Sequence, residues 1–121
     1  MLYKVSNNGK YGIMKKDGTM LTKDIVYDKI GYDAEPDKKI VYTLIVPDLE
    51  GKGQTIVVMQ NEKYGLIYLK NGETYLPCDH LDKLYAVNDL DKIEYKVEVE
   101  NQTIKLSEYI EARNTYIVDM N

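Results

Sequence analysis

Lys10-Tyr11-Gly12-Ile13 recurs as Lys63-Tyr64-Gly65-Leu66, 53 residues further along the chain. Two further matches, each 54 residues apart, are Asp17-Gly18 with Asn71-Gly72, and Asp28-Lys29-Ile30 with Asp82-Lys83-Leu84. Copies of one supersecondary unit usually pack so that each covers the apolar face of its neighbour. The sequence therefore predicts a single domain, residues 1–121, with an internal duplication at about 1–53 and 54–106 and a C-terminal extension at 107–121.

The composition favours strands. The chain has 11 Ile, 10 Val, 12 Tyr and 7 Thr but only 3 Ala, and branched or aromatic side chains fit a pleated sheet. Short turn signals such as Asn8-Gly9 and Asp17-Gly18 divide the chain into strands that hairpins connect. We expect a mainly β protein, an antiparallel sheet or a sandwich or half-barrel built from two related β units. Near the C-terminus, Ser107 predicts the start of one short helix over 108–113, and Thr115–Asp119 predicts a final strand.

The first copy, from Gly9-Lys10-Tyr11-Gly12-Ile13 through Asp17-Gly18 to Tyr27-Asp28-Lys29-Ile30, resembles the WG-repeat family of bacterial proteins. Both copies carry Tyr where that family has Trp, and the spacing between them is about twice the family's period. The resemblance implies an antiparallel β-repeat fold and transfers no catalytic residue.

The repeated Tyr-Gly pairs also have a purely structural interpretation. Gly12 and Gly65 each follow a tyrosine within a strand, where a residue without a side chain lets a ring fold over the backbone or permits a bulge. We therefore assign structural roles in the repeat, and not ligand contacts, to Tyr11, Gly12, Tyr64 and Gly65.

A predicted strand, Ile93–Glu100, and a predicted hairpin, Lys39–Met59, differ in the number of faces that they bury. In Ile93–Glu100 apolar and charged residues alternate, which predicts one buried and one solvated face. The hairpin that Lys39–Met59 forms across the Pro47–Gly53 loop is apolar on both faces, so either the rest of the chain covers it or it forms an interface, such as that of a homodimer.

Charge is uneven along the chain. Residues 1–78 have a net charge of +1 and residues 79–121 a net charge of −5. The acidic part is either a solvated face or a docking surface for a basic or nucleic-acid-binding protein. On the second interpretation the partner-binding residues are Asp89, Asp91, Glu94, Glu98 and Glu100. Direct binding of nucleic acid is disfavoured because no basic stripe faces the phosphates.

Residues for catalysis or metal binding are scarce. Cys78 and His80 are the only cysteine and histidine, and we expect them in a loop after Pro77, as a half-exposed thiol beside an imidazole. They are too few to complete a zinc site, and Gly51-Lys52-Gly53 lacks the spacing of a phosphate-binding loop. We expect no enzyme activity, no cofactor and no metal.

The sequence has no apolar stretch of membrane-spanning length and no secretion signal at its start, so we expect a cytoplasmic protein. The function that fits best is a WG-repeat-like β binding module that acts through protein–protein interaction. The alternative is a small acidic inhibitor, of the toxin-immunity or phage anti-defence type, that occupies the basic nucleic-acid groove of a target protein.

Overall fold

The computed structural model describes residues 2–31, 45–46, 53–89 and 92–119, in which ten strands precede one helix. The elements are β1 (Leu2–Asn7), β2 (Lys10–Lys15), β3 (Lys29–Ile30), β4 (Ile45–Val46), β5 (Thr55–Gln60), β6 (Lys63–Tyr68), β7 (Thr74–Leu81), β8 (Lys83–Asp89), β9 (Lys92–Val99), β10 (Gln102–Lys105) and α1 (Leu106–Asp119). The strands form antiparallel sheets of two, three and five strands. The prediction of a mainly β protein with one short C-terminal helix is confirmed.

Three hairpins whose two-residue turns lie within the described residues organise this part of the chain. They are β1–β2, β5–β6 and β9–β10, which we call the first, second and third hairpins. Both turn residues of each hairpin have positive φ, which matches the twist of the flanking strands. These residues are Asn8 and Gly9, Asn61 and Glu62, and Glu100 and Asn101.

The first two hairpins and the strands after them correspond in detail. Val5 lies opposite Gly12 in the first, and Val58 opposite Gly65 in the second. The correspondence extends to hydrogen bonds and ion pairs. Lys10 pairs with Asp28 as Lys63 pairs with Asp82, and the Lys15 N–H donates to Thr19 O as Tyr68 N–H donates to Glu73 O, both at 2.8 Å. The described chain is thus built from repeated-looking strand units.

Two apolar clusters fill the interior, each lying between consecutive hairpins. The smaller cluster joins Ile13 of the first hairpin to Ile56, Val58 and Ile67 of the second. The larger cluster joins the opposite face of the second hairpin to the third hairpin and α1, and its fully buried members include Val57, Leu66, Val97 and Leu106. The hairpins are therefore stacked, and the second hairpin buries side chains on both of its faces.

The described part of the predicted apolar hairpin belongs to this interior. Of the predicted strand Lys39–Val46, only Ile45–Val46 lies within the described residues, and it pairs with β5 as expected. Val46 and Val57 are both 0% exposed. In these residues the chain itself covers the apolar side chains.

The prediction that Cys78 and His80 lie in a loop is wrong, because both lie within β7. Pro77 does not end the strand; it begins an irregular stretch. Leu76 lies opposite Leu66 and Leu81 lies opposite Tyr64, so residues 77–80 together face the single residue Gly65. A Cβ atom on Gly65 would lie 2.4 Å from Leu76 O, so this close approach requires glycine.

The predicted final strand at Thr115–Asp119 is also wrong, because α1 continues to Asp119. The helix begins at Leu106, directly after β10. Leu106 and Ile110, four residues apart on one face of the helix, are 1% and 4% exposed in the larger cluster. Tertiary packing of this face stabilises a helix although its C-terminal half is rich in residues that favour strands.

Candidate interaction surfaces

The stack has two outer faces, one on the first hairpin and one on the third, and they differ in chemistry. In β9, Tyr95, Val97 and Val99 pack in the larger cluster, so the alternate residues Glu94, Lys96 and Glu98 lie on the opposite face. Strand neighbours add two lysines to this face. The five charged residues of this face form what we call the charged end: Lys83, Glu94, Lys96, Glu98 and Lys105. The same face also carries Tyr85, Val87 and Thr103.

Two of the predicted partner-binding residues form ion pairs within the charged end. Glu94 Oε1 lies 3.3 Å from Lys105 Nζ, and Glu98 Oε2 lies 3.8 Å from Lys83 Nζ. With three lysines and two glutamates, this face is of mixed sign and not an acidic field. Pairs this exposed contribute little to stability, so their main consequence is to reduce the negative potential at this surface.

Of the remaining predicted acidic residues, Glu100 and Asp89 lie at strand ends of the sheet formed by β8, β9 and β10. Glu100 is an exposed turn residue of the third hairpin. Asp89 ends β8, and Asp91 lies outside the described residues. The structure brings Glu94 and Glu98 onto one face and leaves Glu100 at its turn.

The residues of the repeated Tyr-Gly motif occupy corresponding positions with unequal burial. Tyr64 is 4% exposed in the larger cluster, whereas Tyr11 is half-buried, with Lys4 Nζ 4.8 Å from its ring centroid. Gly12 is buried, and a Cβ atom there would lie 2.9 Å from Thr22 Oγ1. The Thr22 hydroxyl oxygen in turn accepts a hydrogen bond from Ile13 N–H at 3.0 Å. These contacts are packing contacts within the repeat.

Cys78 and His80 have different surroundings. The Cys78 side chain packs on the smaller cluster, with its Sγ 3.9 Å from Val58 O, and burial raises the pKa of the thiol to about 11. A nucleophilic cysteine needs the opposite shift, because the thiolate is the reactive form. The His80 side chain is 63% exposed, with Nε2 3.7 Å from Asp79 Oδ2.

The opposite end of the stack is apolar, and sequence reasoning missed it. The face of the first hairpin that points away from the smaller cluster carries Tyr3, Val5 and Met14, and Met20 is bridged to Met14. We call these four residues the apolar end. Tyr3 is 43% and Met20 39% exposed, whereas Ile56 and Ile67, which correspond to Tyr3 and Met14 in the second hairpin, are 4% and 1% exposed. The difference arises because the first hairpin covers the second, and no described residues cover the first in the same way.

A shallow cleft of about 390 Å³ lies beside the charged end and is lined by Tyr64, Lys83, Leu84, Tyr85 and Glu98. Lys83 and Glu98 pair with each other there. Across the described ranges no three His, Cys, Asp or Glu side chains come together as a metal site would require.

The helix within the described chain is too short and too polar to cross a membrane. Comparison of the chain with protein-family models, with curated proteins and with solved structures found no match.

Proposed function

We propose that this chain is a WG-repeat-like β module that binds another protein and has no catalytic role. The observation that supports the proposal is the difference between the two ends of the stack. Terminal units of a repeat array need a polar outer face to stay in solution, and the charged end has one. The apolar end instead exposes Tyr3 and Met20 side by side with Met14, as a surface that another protein covers does.

Charge favours a separate protein over a second copy as the occupant of the apolar end. Residues 1–31 contain six lysines and three aspartates, a net charge of +3. Two copies joined through their apolar ends would bring like charges together, which opposes association. Joining the apolar end to the charged end of another copy would bury charged groups against apolar side chains.

The proposal is tested by changing the two ends separately. We expect Tyr3→Lys combined with Met20→Lys to abolish capture of a partner from the native cell. The matched control, Glu94→Lys with Glu98→Lys and Glu100→Lys, should retain capture. A captured protein counts as the partner only after mass spectrometry identifies it and binding is reproduced with purified components.

The same experiment addresses the acidic-inhibitor alternative. That function requires the acidic residues of the C-terminal third, so it predicts that the charge-reversal variant loses the partner and the apolar-end variant keeps it. We rank it second because Glu94 and Glu98 are paired with lysines. Capture that neither variant changes would contradict both functions, and a dimer in sedimentation that Met20→Lys dissociates would contradict a separate partner at the apolar end.

A further inference from the structure

In this fold β3 and β4 cover the outer edge of β5, and β8 covers the outer edge of β9. On both edges the part nearest the hairpin turn is covered by a segment that precedes the hairpin. On the outer edge of β5, the Asp28 N–H donates to Met59 O and the Gly31 N–H donates to Val57 O, both at 2.7 Å. On the outer edge of β9, the Asp82 N–H donates to Glu98 O at 2.8 Å. Met59 and Glu98 occupy corresponding positions in their hairpins, so the two edges are covered in the same way.

The two covering segments share the sequence Asp-Lys-aliphatic, and we call them the linking segments: Asp28-Lys29-Ile30 and Asp82-Lys83-Leu84. The aliphatic residue packs in the cluster below, Ile30 against the smaller one and Leu84 in the larger one. The aspartate at the start of each segment pairs with a lysine, Asp28 with Lys10 and Asp82 with Lys63.

The Asp28 carboxylate has contacts in two units. Its carboxylate accepts hydrogen bonds from the Lys10 side chain of its own unit and from the Asn61 N–H, 2.8 Å away, in the turn of the next hairpin. The hydrogen bond from Lys10 is the main reason why the pKa of Asp28 lies below its ordinary value. The Asp28 carboxylate therefore links its own unit to the turn of the next hairpin.

The first hairpin offers the same edge without this cover. β1 pairs with β2 in the register that β5 has with β6, so the backbones of Lys4 and Ser6 face outward as those of Val57 and Met59 do. In the described chain β1 has no second strand beside it, and Tyr3 and Leu2 are 43% and 37% exposed. The Asn8 N–H corresponds to that of Asn61.

We propose that the outer edge of β1 binds an extended Asp-Lys-aliphatic strand of a partner protein, which pairs antiparallel with Lys4–Ser6. The partner's aspartate accepts a hydrogen bond from Asn8 N–H, and its aliphatic side chain packs at the apolar end. Main-chain hydrogen bonds to an open edge supply affinity in this mode, and side-chain pockets supply specificity. In a second copy both linking segments already cover β5 and β9, and its third Asp-Lys-aliphatic sequence, Asp91-Lys92-Ile93, is held in β9 because Lys92 and Ile93 pair with β8, so we assign the strand to a separate protein. The inference rests on the proposed function and specifies the partner's chemistry.

A peptide with the sequence of Asp24–Gly31, capped at both ends, tests the proposal directly. Added to the isotope-labelled chain, it should shift the amide NMR signals of Lys4, Ser6 and Asn8 in a saturable manner. The same peptide with Asp28→Ala should bind about five- to ten-fold more weakly, because it loses the hydrogen bond that its carboxylate accepts from Asn8 N–H.

Variants of the protein locate the binding edge. Ser6→Pro removes an outward N–H and places a ring in the path of an incoming strand, so we expect peptide affinity to fall at least about five-fold. Thr103→Pro is the matched control, because Thr103 also lies one residue from the closing pair of its hairpin, on the edge strand β10, with its backbone facing outward. This variant should bind the peptide as the wild type does. Thermal unfolding of both variants verifies that they are folded.

The proposal is overturned if millimolar peptide leaves the β1 amide signals unshifted, or if Ser6→Pro, still folded, binds with unchanged affinity. Its failure is distinguishable from failure of the proposed function. If capture of the partner still depends on Tyr3 and Met20 while the peptide fails to bind, the apolar end is the interface but the partner does not add a strand.

Discussion

The two repeat glycines are under different steric constraints. At Gly65 an added Cβ atom meets a backbone carbonyl, Leu76 O, at 2.4 Å, whereas at Gly12 the nearest atom is a side-chain oxygen, Thr22 Oγ1, at 2.9 Å. A side chain can rotate away, but the irregular stretch of β7 over Gly65 can move only by disturbing strand pairing. Corresponding positions in the two units thus differ in their tolerance of a methyl group.

We therefore expect Gly65→Ala to lower the free energy of unfolding by about 1–3 kcal/mol, the usual cost of overpacking. Gly12→Ala should cost less, because the atoms that an added Cβ would meet, Thr22 Oγ1, Ile25 Cγ1 and Met20 Cε, all belong to side chains. Urea unfolding of both variants measures the difference. Equal losses would mean that residues 77–80 can relax away from Gly65.

The Cys78 thiol should react slowly at neutral pH. Burial raises its pKa from 9.0 to about 11, so the folded chain holds the thiol proton more tightly than the unfolded chain does. The stability that this group contributes is therefore full below pH 9 and is lost as the pH rises towards 11.

Alkylation by iodoacetamide measures this shift. In the folded chain the rate should rise with pH to a midpoint near 11, and in chain unfolded by urea to a midpoint near 9. A folded-state midpoint at or below 9 would show that the thiol is not desolvated and would make Cys78 a candidate nucleophile again.

At the scale of the elements, turn chemistry made the first two hairpins predictable. Asn8-Gly9 is a strong signal for a two-residue turn, and the repeated Lys-Tyr-Gly strand identified the second hairpin. Glu100-Asn101 also signals a turn, but the third hairpin has no Lys-Tyr-Gly strand that would identify it as a counterpart of the other two. Its correspondence to the other two is visible only in the register.

The errors at this scale have physical causes. A proline usually marks the end of a strand. Pro77 lies instead in a stretch where β7 is out of register with β6, so its missing N–H breaks no regular ladder. Thr115–Asp119 is β-branched and aromatic, and local propensity alone favours a strand. Leu106 and Ile110 precede this segment and hold the helix in place through tertiary contacts. A local sequence pattern does not contain those contacts.

The helix anchor can be measured. Ile110→Ala should lower the free energy of unfolding by about 2–5 kcal/mol, because it leaves a cavity in the larger cluster. Glu108→Ala, an exposed change in the first turn of the same helix, should cost less than about 1 kcal/mol. Hydrogen exchange should also show faster exchange in β9 and β10 for Ile110→Ala. A small effect of Ile110→Ala would mean that α1 is not needed to close the cluster.

The stacking of the hairpins accounts for which surfaces are apolar. Sequence reasoning recognised the repeated-looking strand units and the alternating face of Ile93–Glu100, but not the apolar end. Tyr3 and Met14 correspond to Ile56 and Ile67 and are similarly apolar, so a pattern predicts burial for all four. Burial depends on whether another unit lies on top, and this is a property of the assembled stack.

Substitution by lysine at corresponding positions of the first and second hairpins tests this difference in burial. Ile56→Lys places a charge in the smaller cluster and should cost about 3–5 kcal/mol of unfolding free energy or prevent folding. Tyr3→Lys, at the corresponding position of the first hairpin, should change stability by less than about 1 kcal/mol. Thermal and urea unfolding compare the two, and comparable destabilisation would mean that the apolar end is covered in the free protein.

Because the two ends differ, adding a further unit to the stack is favourable at one end only. An additional hairpin fused ahead of β1 would desolvate Tyr3, Met14 and Met20, a favourable change. One fused beyond β10 would have to strip water from five ionised groups, Lys83, Glu94, Lys96, Glu98 and Lys105. Longer versions of this architecture, whether they arise by gene duplication or in the laboratory, should therefore gain their new units on the amino-terminal side alone.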